Sequence, residues 1–485
     1  MKHPSLETTF GSPVAASVSG PRVRTARSQR RRVLLITSLG VFMVSLDTTI
    51  VNVAFPAIQS TFPGTTQVAL SWVLNAYFIV FAALLVSAGR VADLVGRRRV
   101  FFIGLNLFTL ASGLCGLAPT ASLLIAARAL QAIGAAALIP ASLALLLPAF
   151  EVSRRATAIG LWGAIAALAS ALGPILGSAL LEWANWRWAF FINLPVGLFA
   201  WLWGRKVLDE SRDPDAVHWP DLVGVLAAIA TVGLFALWII QGAAYPWFDP
   251  RRLASLAGVI GLFPLLIWRC ARHPSPVLDL SLFRIRSFTI ANLATLLFSA
   301  AFFSALLGYV LFLTSVWHYP PLTAGLAITT TPIAAAVVAG PAGVLADRFG
   351  HRWIVVTGTV VFAVGAAWLI LRVGPEVAYV RHWLPGSLLM GAGVGMAFPT
   401  LSSASMLALP PARFAVGSAV NVTSRQLGGV LGVAILIVLL SRPSTGEPAE
   451  MQFRAGWIFM GLISLAAGLV SLALGGKAHG DSRGE

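Results

Sequence analysis

The segment GRVADLVGRR, residues 89–98, returns as GVLADRFGHR at residues 343–352, about 254 positions later. Both read G-x-x-A-D-x-x-G-x-R, and each joins one apolar run to the next. A second pair, LGPILG at 172–177 and LGGVLG at 427–432, has nearly the same offset. One such match arises easily by chance; two at nearly one offset mean a duplicated unit. Six spanning helices at this chain's density take about 200 residues. The offset is longer by roughly two helices, so the spacing predicts two six-helix halves with two helices inserted between them.

Composition sets the phase. Of 485 residues, 58% are hydrophobic and only 11% are charged, where a soluble domain carries about 25% charged residues. A soluble domain and a disordered chain are both excluded. Apolar runs fall at 33–56, 69–89, 100–118, 121–147, 157–181, 187–204, 222–241, 252–268, 288–313, 323–345, 352–372, 383–407, 414–441 and 455–475. They are too long, and too free of period-two alternation, for barrel strands. The predicted fold is an all-α polytopic membrane protein with fourteen transmembrane helices. Its expected parts are a basic tail (1–32), a six-helix half (33–204), a linker with two extra helices (205–287), a second half (288–475) and a short tail (476–485).

Orientation follows from the basic residues. The formal charge is +16, made with 31 Arg and 3 Lys. Counted on alternate sides of fourteen spans, 25 lie on the side of the termini and 7 on the other. Positive charge collects on the cytoplasmic side, which predicts a multi-pass protein of the inner or plasma membrane with both termini cytoplasmic. No basic face with interleaved aromatics lies outside the spans, so nucleic acid is not an expected partner. Cys115 and Cys270 lie too far apart in sequence to suggest a disulfide or metal framework. No G-x-x-x-x-G-K-[ST] run occurs, so transport would be passive or ion-coupled, with no cofactor. No paired catalytic groups share a depth, and an enzyme is not expected. A monomer is the working expectation.

Of eighteen acidic residues, Asp47 alone lies well inside a span, about 21 Å along its helix from Val33. A carboxylate there is costly unless paired, hydrated or protonated. It is either a proton carrier or a structural acid bonded to Thr48, Asn52 or a neighbouring helix. Arg128, with Gln131 on the same face, needs partners if buried; it tunes a carboxylate, meets substrate, or satisfies itself on backbone carbonyls. Gly163, Gly173, Pro174 and Gly177 make a small-residue helix face suited to close packing or to a pliable seam between halves. In the loop motif, Gly89 and Gly96 permit turns. Asp93 can cap a helix or pair with an arginine such as Arg97. As a gate it would latch to the thirteenth helix, with Asp347 as its counterpart in the second half.

These motifs resemble the fourteen-span drug:proton antiporter group (EmrB/QacA-like) of the major facilitator superfamily. Residues 89–99 resemble the superfamily's loop motif. LDTTIVNVAFP at 46–56 resembles the group's first-helix signature, and RALQAIG at 128–134 its fourth-helix motif. Gly163 through Gly177 is similar to the antiporter motif, and WRWAFFINLP at 186–195 to the group's sixth-helix entry. The resemblance implies export of lipophilic small molecules, such as drugs or toxic metabolites, in exchange for protons. It implies proton coupling through Asp47 and Arg128, and a helix 5 motif that prevents leak. Asn52, Gln131, Asn193 and Arg425 are candidates to line the substrate cavity. A facilitator or importer of a small metabolite is the alternative left open.

The second half departs from the first. Ala301 stands near the place that answers Asp47, and Ser387 near that of Arg128. Arg425 is the one ionisable residue deep in these later spans. Relatives that export dications are expected to carry further acids there. A neutral, zwitterionic or singly charged lipophile is therefore expected, and Arg425 would suit an anionic group.

Overall fold

A computed structural model describes residues 21–474, except 152–153, 214–216, 243, 408, 411–412 and 442–448. Most of the basic tail, the tail at 476–485 and Arg442 of the charge count lie outside the described residues. Helices α1 (Pro21–Thr61), α2 (Trp72–Val95), α3 (Arg97–Leu117), α4 (Ala121–Leu146) and α5 (Arg155–Trp183) lead into α6 (Asn193–Val207). Then come α7 (Leu222–Gln241) and α8 (Pro250–Arg272). The second half holds α9 (Arg286–Ser315), α10 (Thr330–Phe349), α11 (His351–Arg372), α12 (Leu384–Met406), α13 (Phe414–Leu440) and α14 (Ala449–Ser471).

Thirteen helical segments among the described residues are long and apolar enough to cross a membrane. The fourteenth pass is the sixth, expected as one run over 187–204. It is instead broken at Ile192 into Trp188–Phe191 and α6. Pro195 explains the break. It has no N–H to offer the carbonyl of Phe191, and its ring crowds that carbonyl. The tenth pass is broken similarly, at Thr329, between Pro321–Ile328 and α10.

The pairings of the first half recur in the second. Helix α1 packs on α5 as α9 packs on α13; α3 on α4 as α11 on α12; α2 on α4 as α10 on α12. The duplication read from the two loop segments is thus a duplication of packing. The inserted pair stands outside both halves: α8 packs on α7, and α7 lies against α2 and α13.

The two halves meet unevenly. At the end remote from the loop motifs, Glu182 of α5 accepts a hydrogen bond from the Leu322 N–H at 3.2 Å. A Cβ on Gly325 would lie 2.5 Å from the Pro174 carbonyl. At the loop-motif end, Gly160 and Gly163 of α5 and Gly340 and Gly343 of α10 have nothing within 4 Å of a Cβ position. The bundle is clasped at one face and parted at the other.

Candidate functional site

The loop motif forms a one-residue turn. Gly96 and its repeat Gly350 have φ of +129° and +94°, values that only glycine adopts without strain. Gly89 makes no turn. It lies within α2, where its Cβ position is 3.4 Å from Pro140 of α4. Among the described residues Asp93 makes no hydrogen bond or ion pair to α13; Arg97, one turn away, pairs with its carboxylate at 3.0 Å. The i,i+4 spacing makes that partner the nearest one available. Asp347 is exposed and holds no ion pair or hydrogen bond among the described residues.

The linker after α6 lies over this turn. Arg97 donates its N–H to the Ser211 carbonyl at 2.9 Å, and Asp213 donates to the Asp93 carbonyl at 3.1 Å. The Glu210 carboxylate accepts the N–H groups of Arg98 and Arg99, at 3.0 and 3.3 Å. These belong to the first turn of α3, where N–H groups have no partner within the helix. A residue about 110 positions away therefore caps it, a role no local pattern announces.

Deep in the first half, Asp47 and Arg128 meet. Arg128 Nη1 lies 2.6 Å from Asp47 Oδ2, and both side chains are essentially inaccessible. Gln131 donates to Asp47 Oδ1 at 2.8 Å and accepts from Arg128 Nη1 at 2.6 Å. Arg128 Nε donates to the Val73 carbonyl at 3.1 Å. Its guanidinium lies 4.1 Å from the Tyr77 ring centre, with Phe190 at 5.7 Å. Ser112 extends the network, accepting from Gln131 at 2.8 Å and from Asn193 at 3.3 Å. Two opposite charges, satisfied on several sides and flanked by rings, are how a low-dielectric interior tolerates ions at all.

This network draws in residues expected to line a cavity. Gln131 and Asn193 are 0% and 1% exposed, and Asn52 is 2% exposed with its amide turned to the Thr48 carbonyl. None reaches an open space in this conformation: Gln131 and Asn193 are bonded within the half, and Asn52 is buried with its Oδ1 unpartnered among the described residues. Spacing gave their depth but not which side of the helix faces inward.

The antiporter motif divides in two. A Cβ on Gly173 would meet the Thr49 side chain of α1, and one on Gly177 would lie 3.4 Å from Ile50 Cα, both inside the first half. Only Pro174 reaches the other half, through Gly325. Gly163 stands free. The small residues at 173 and 177 therefore hold α5 against the helix that carries Asp47, rather than forming a seam between halves.

In the second half, Arg425 is partly exposed and its guanidinium lies 5.2 Å from the Phe398 ring. Its Nε is buried without a partner among the described residues.

A duplicated six-helix membrane bundle, with a buried ion pair in one half and, among the described residues, a clasp at the face remote from the loop motifs, has the architecture of an alternating-access carrier. The chain belongs to the Major Facilitator Superfamily, whose family model matches residues 37–309 and 291–484. Multidrug resistance protein Stp of Mycobacterium tuberculosis is 36% identical over 406 residues, 83% of this chain and 74% of that protein. Methylenomycin A resistance protein of Bacillus subtilis is 31% identical over 462 residues, 94% of this chain and 97% of that protein. A solved auto-inhibited peptide transporter of the POT family shares the fold alone. Its TM-score is 0.67 at 17% identity, over 91% of this chain and 96% of its own.

Proposed function

We propose that the chain exports lipophilic small molecules, drugs or antibiotics among them, in exchange for protons. The observation that carries this reading is the Asp47–Arg128 pair, 2.6 Å apart and closed off inside one half. A proton arriving at Asp47 Oδ2 would neutralise the carboxylate and free the guanidinium from it. Its departure would restore the pair. Gln131, bonded to both, would hold each partner in place while the other changes. The names of Stp and the methylenomycin A resistance protein support a drug as cargo.

The excess of Lys and Arg beside the loop motifs supports a membrane orientation with both termini cytoplasmic. The parted face is then cytoplasmic, and the conformation is one that loads cargo from inside the cell. A membrane potential of 100 mV supplies about 2.3 kcal/mol per charge, and one pH unit adds about 1.4 kcal/mol. At about 1.4 kcal/mol per factor of ten, one proton supports a concentration ratio of a few hundred.

The test uses the full chain in proteoliposomes, following dye efflux and substrate-induced proton release together. Asp47→Asn should insert and bind ligand, yet lose uphill efflux and proton release. Wild-type proton release from this variant overturns the assignment.

A further inference from the structure

Arg425 lies eleven residues into α13, about 17 Å along a helix some 40 Å long. It is a cation at mid-depth, and no acid answers it: α9, α12 and α13 contain neither Asp nor Glu. The one acid deep in the first half, Asp47, is already bound to Arg128. Partial exposure keeps the guanidinium within reach of a ligand, while its Nε is buried and unbonded. The next residue, Gln426, also has a buried Oε1 without a partner. One turn earlier, Asn421 is fully engaged, donating to Asn292 at 3.2 Å and Thr295 at 3.1 Å and accepting from Ser402 at 3.0 Å. Within α13, among the described residues, the buried polar atoms without a partner are Arg425 Nε and Gln426 Oε1.

Beside it runs a file of aromatic rings. Phe398 is 5.2 Å from Phe302 and 5.1 Å from Phe298 on α9. Phe302 is 5.2 Å from Phe303, and Phe303 is 5.0 Å from Phe78 on α2, across the junction of the halves. Phe298, Phe303 and Phe78 are buried, whereas Phe398 and Phe302 are partly exposed. A flat apolar body can lie against those two rings, and a planar guanidinium binds a carboxylate through paired hydrogen bonds.

We propose that Arg425, with the partly exposed rings of Phe398 and Phe302 backed by the buried rings behind them, is a cargo site for amphiphilic organic acids. The anionic head rests on the guanidinium and the aromatic body on the rings. This assignment rests on the exporter reading and specifies its cargo class. The anion supplies the counter-charge that Arg425 lacks on α9, α12 and α13, so its binding relieves an unpaired ion as well as burying apolar surface.

The experiment measures equilibrium binding to the purified full-length chain in nanodiscs at neutral pH. The probes are 2-naphthoate, its neutral analogue 2-naphthamide, and the lipophilic cation tetraphenylphosphonium. The wild type should prefer naphthoate over naphthamide by about tenfold or more, the worth of a charged hydrogen bond. Arg425→Gln should erase that preference and leave naphthamide binding within about twofold. Arg425→Lys should keep part of the preference. Asp47→Asn should keep the preference while losing uphill efflux, which separates this site from the coupling mechanism. The proposal is overturned if the wild type binds naphthoate no better than naphthamide or not at all. It is overturned equally if Arg425→Gln keeps the preference, or if both Arg425 variants lose all three probes alike.

Discussion

A Cβ placed on Gly96 would lie 2.7 Å from the carboxyl carbon of Glu210. The glycine is required twice over: by its positive φ and by the carboxylate seated against it. Gly96→Ala should therefore displace Glu210 from the N–H groups of Arg98 and Arg99. Strain at such a position costs about 1–3 kcal/mol. Glu210→Ala removes the cap alone and should cost about 0.5–2 kcal/mol. Thermal unfolding in detergent ranks the two. A Glu210→Ala protein as stable as the wild type removes the cap from the account.

The buried pair should show strong coupling. Arg128→Gln leaves Asp47 without its counter-ion, a loss of about 3–5 kcal/mol for a buried ion. Combining it with Asp47→Asn should recover at least about 1 kcal/mol relative to the sum of the single changes. The cycle is read from melting of the two single variants and the double. Simple additivity would show that the 2.6 Å contact carries no energy.

Gly173 meets Thr49, so Gly173→Ala should overpack the α1–α5 contact by about 1–3 kcal/mol and slow transport. Thr49→Ala removes the obstructing hydroxyl but leaves a Cβ 2.7 Å from the added methyl, so it should restore only part of both, and Thr49→Gly more. Rescue of stability without rescue of efflux would mean that the hydroxyl has a second role.

The hairpin of α7 and α8 is fastened at one end by Asp221 and Arg269, 2.6 Å apart. Asp221 also accepts the Gly224 N–H at 2.8 Å. Burial alone would raise the pKa of this carboxyl, but the Gly224 N–H and the Arg269 guanidinium outweigh it and hold it below its usual range. A depressed folded pKa stabilises above the unfolded value of about 3.9. That stabilisation is lost as pH falls from there through the folded value. Asp221→Asn should cost about 1–3 kcal/mol at pH 7, and the difference from wild type should shrink toward pH 3. Amide exchange of residues 222–272 at the two pH values reads it. A cost that stays constant down to pH 3 would show that charge is irrelevant at this contact.

The spans and the duplication were legible because apolar length and repeated turns are local signals. The Asp47–Arg128 pair was partly legible, since two ions stranded in apolar runs have few partners but each other. Four things were not. The break at Ile192 depends on one proline acting four residues back. The inward turn of Gln131 and Asn193 depends on neighbouring helices, since depth along a run does not choose a face. Glu210 lies in a polar linker where an acid needs no explanation, and only the fold brings it to α3. The glycines of α5 suit any close contact, and sequence alone does not say which helix comes near.

The ion pair of the first half shares no side chain with the polar and aromatic groups around Arg425. Two descendants of one ancestral unit have thus been left to specialise. On the proposed assignments, substitutions on α9, α12 and α13 would broaden or narrow what is carried while a pH response set on α1 and α4 stays constant. Selection by a new toxic compound should accordingly leave its changes in the second half, and few of them near Asp47.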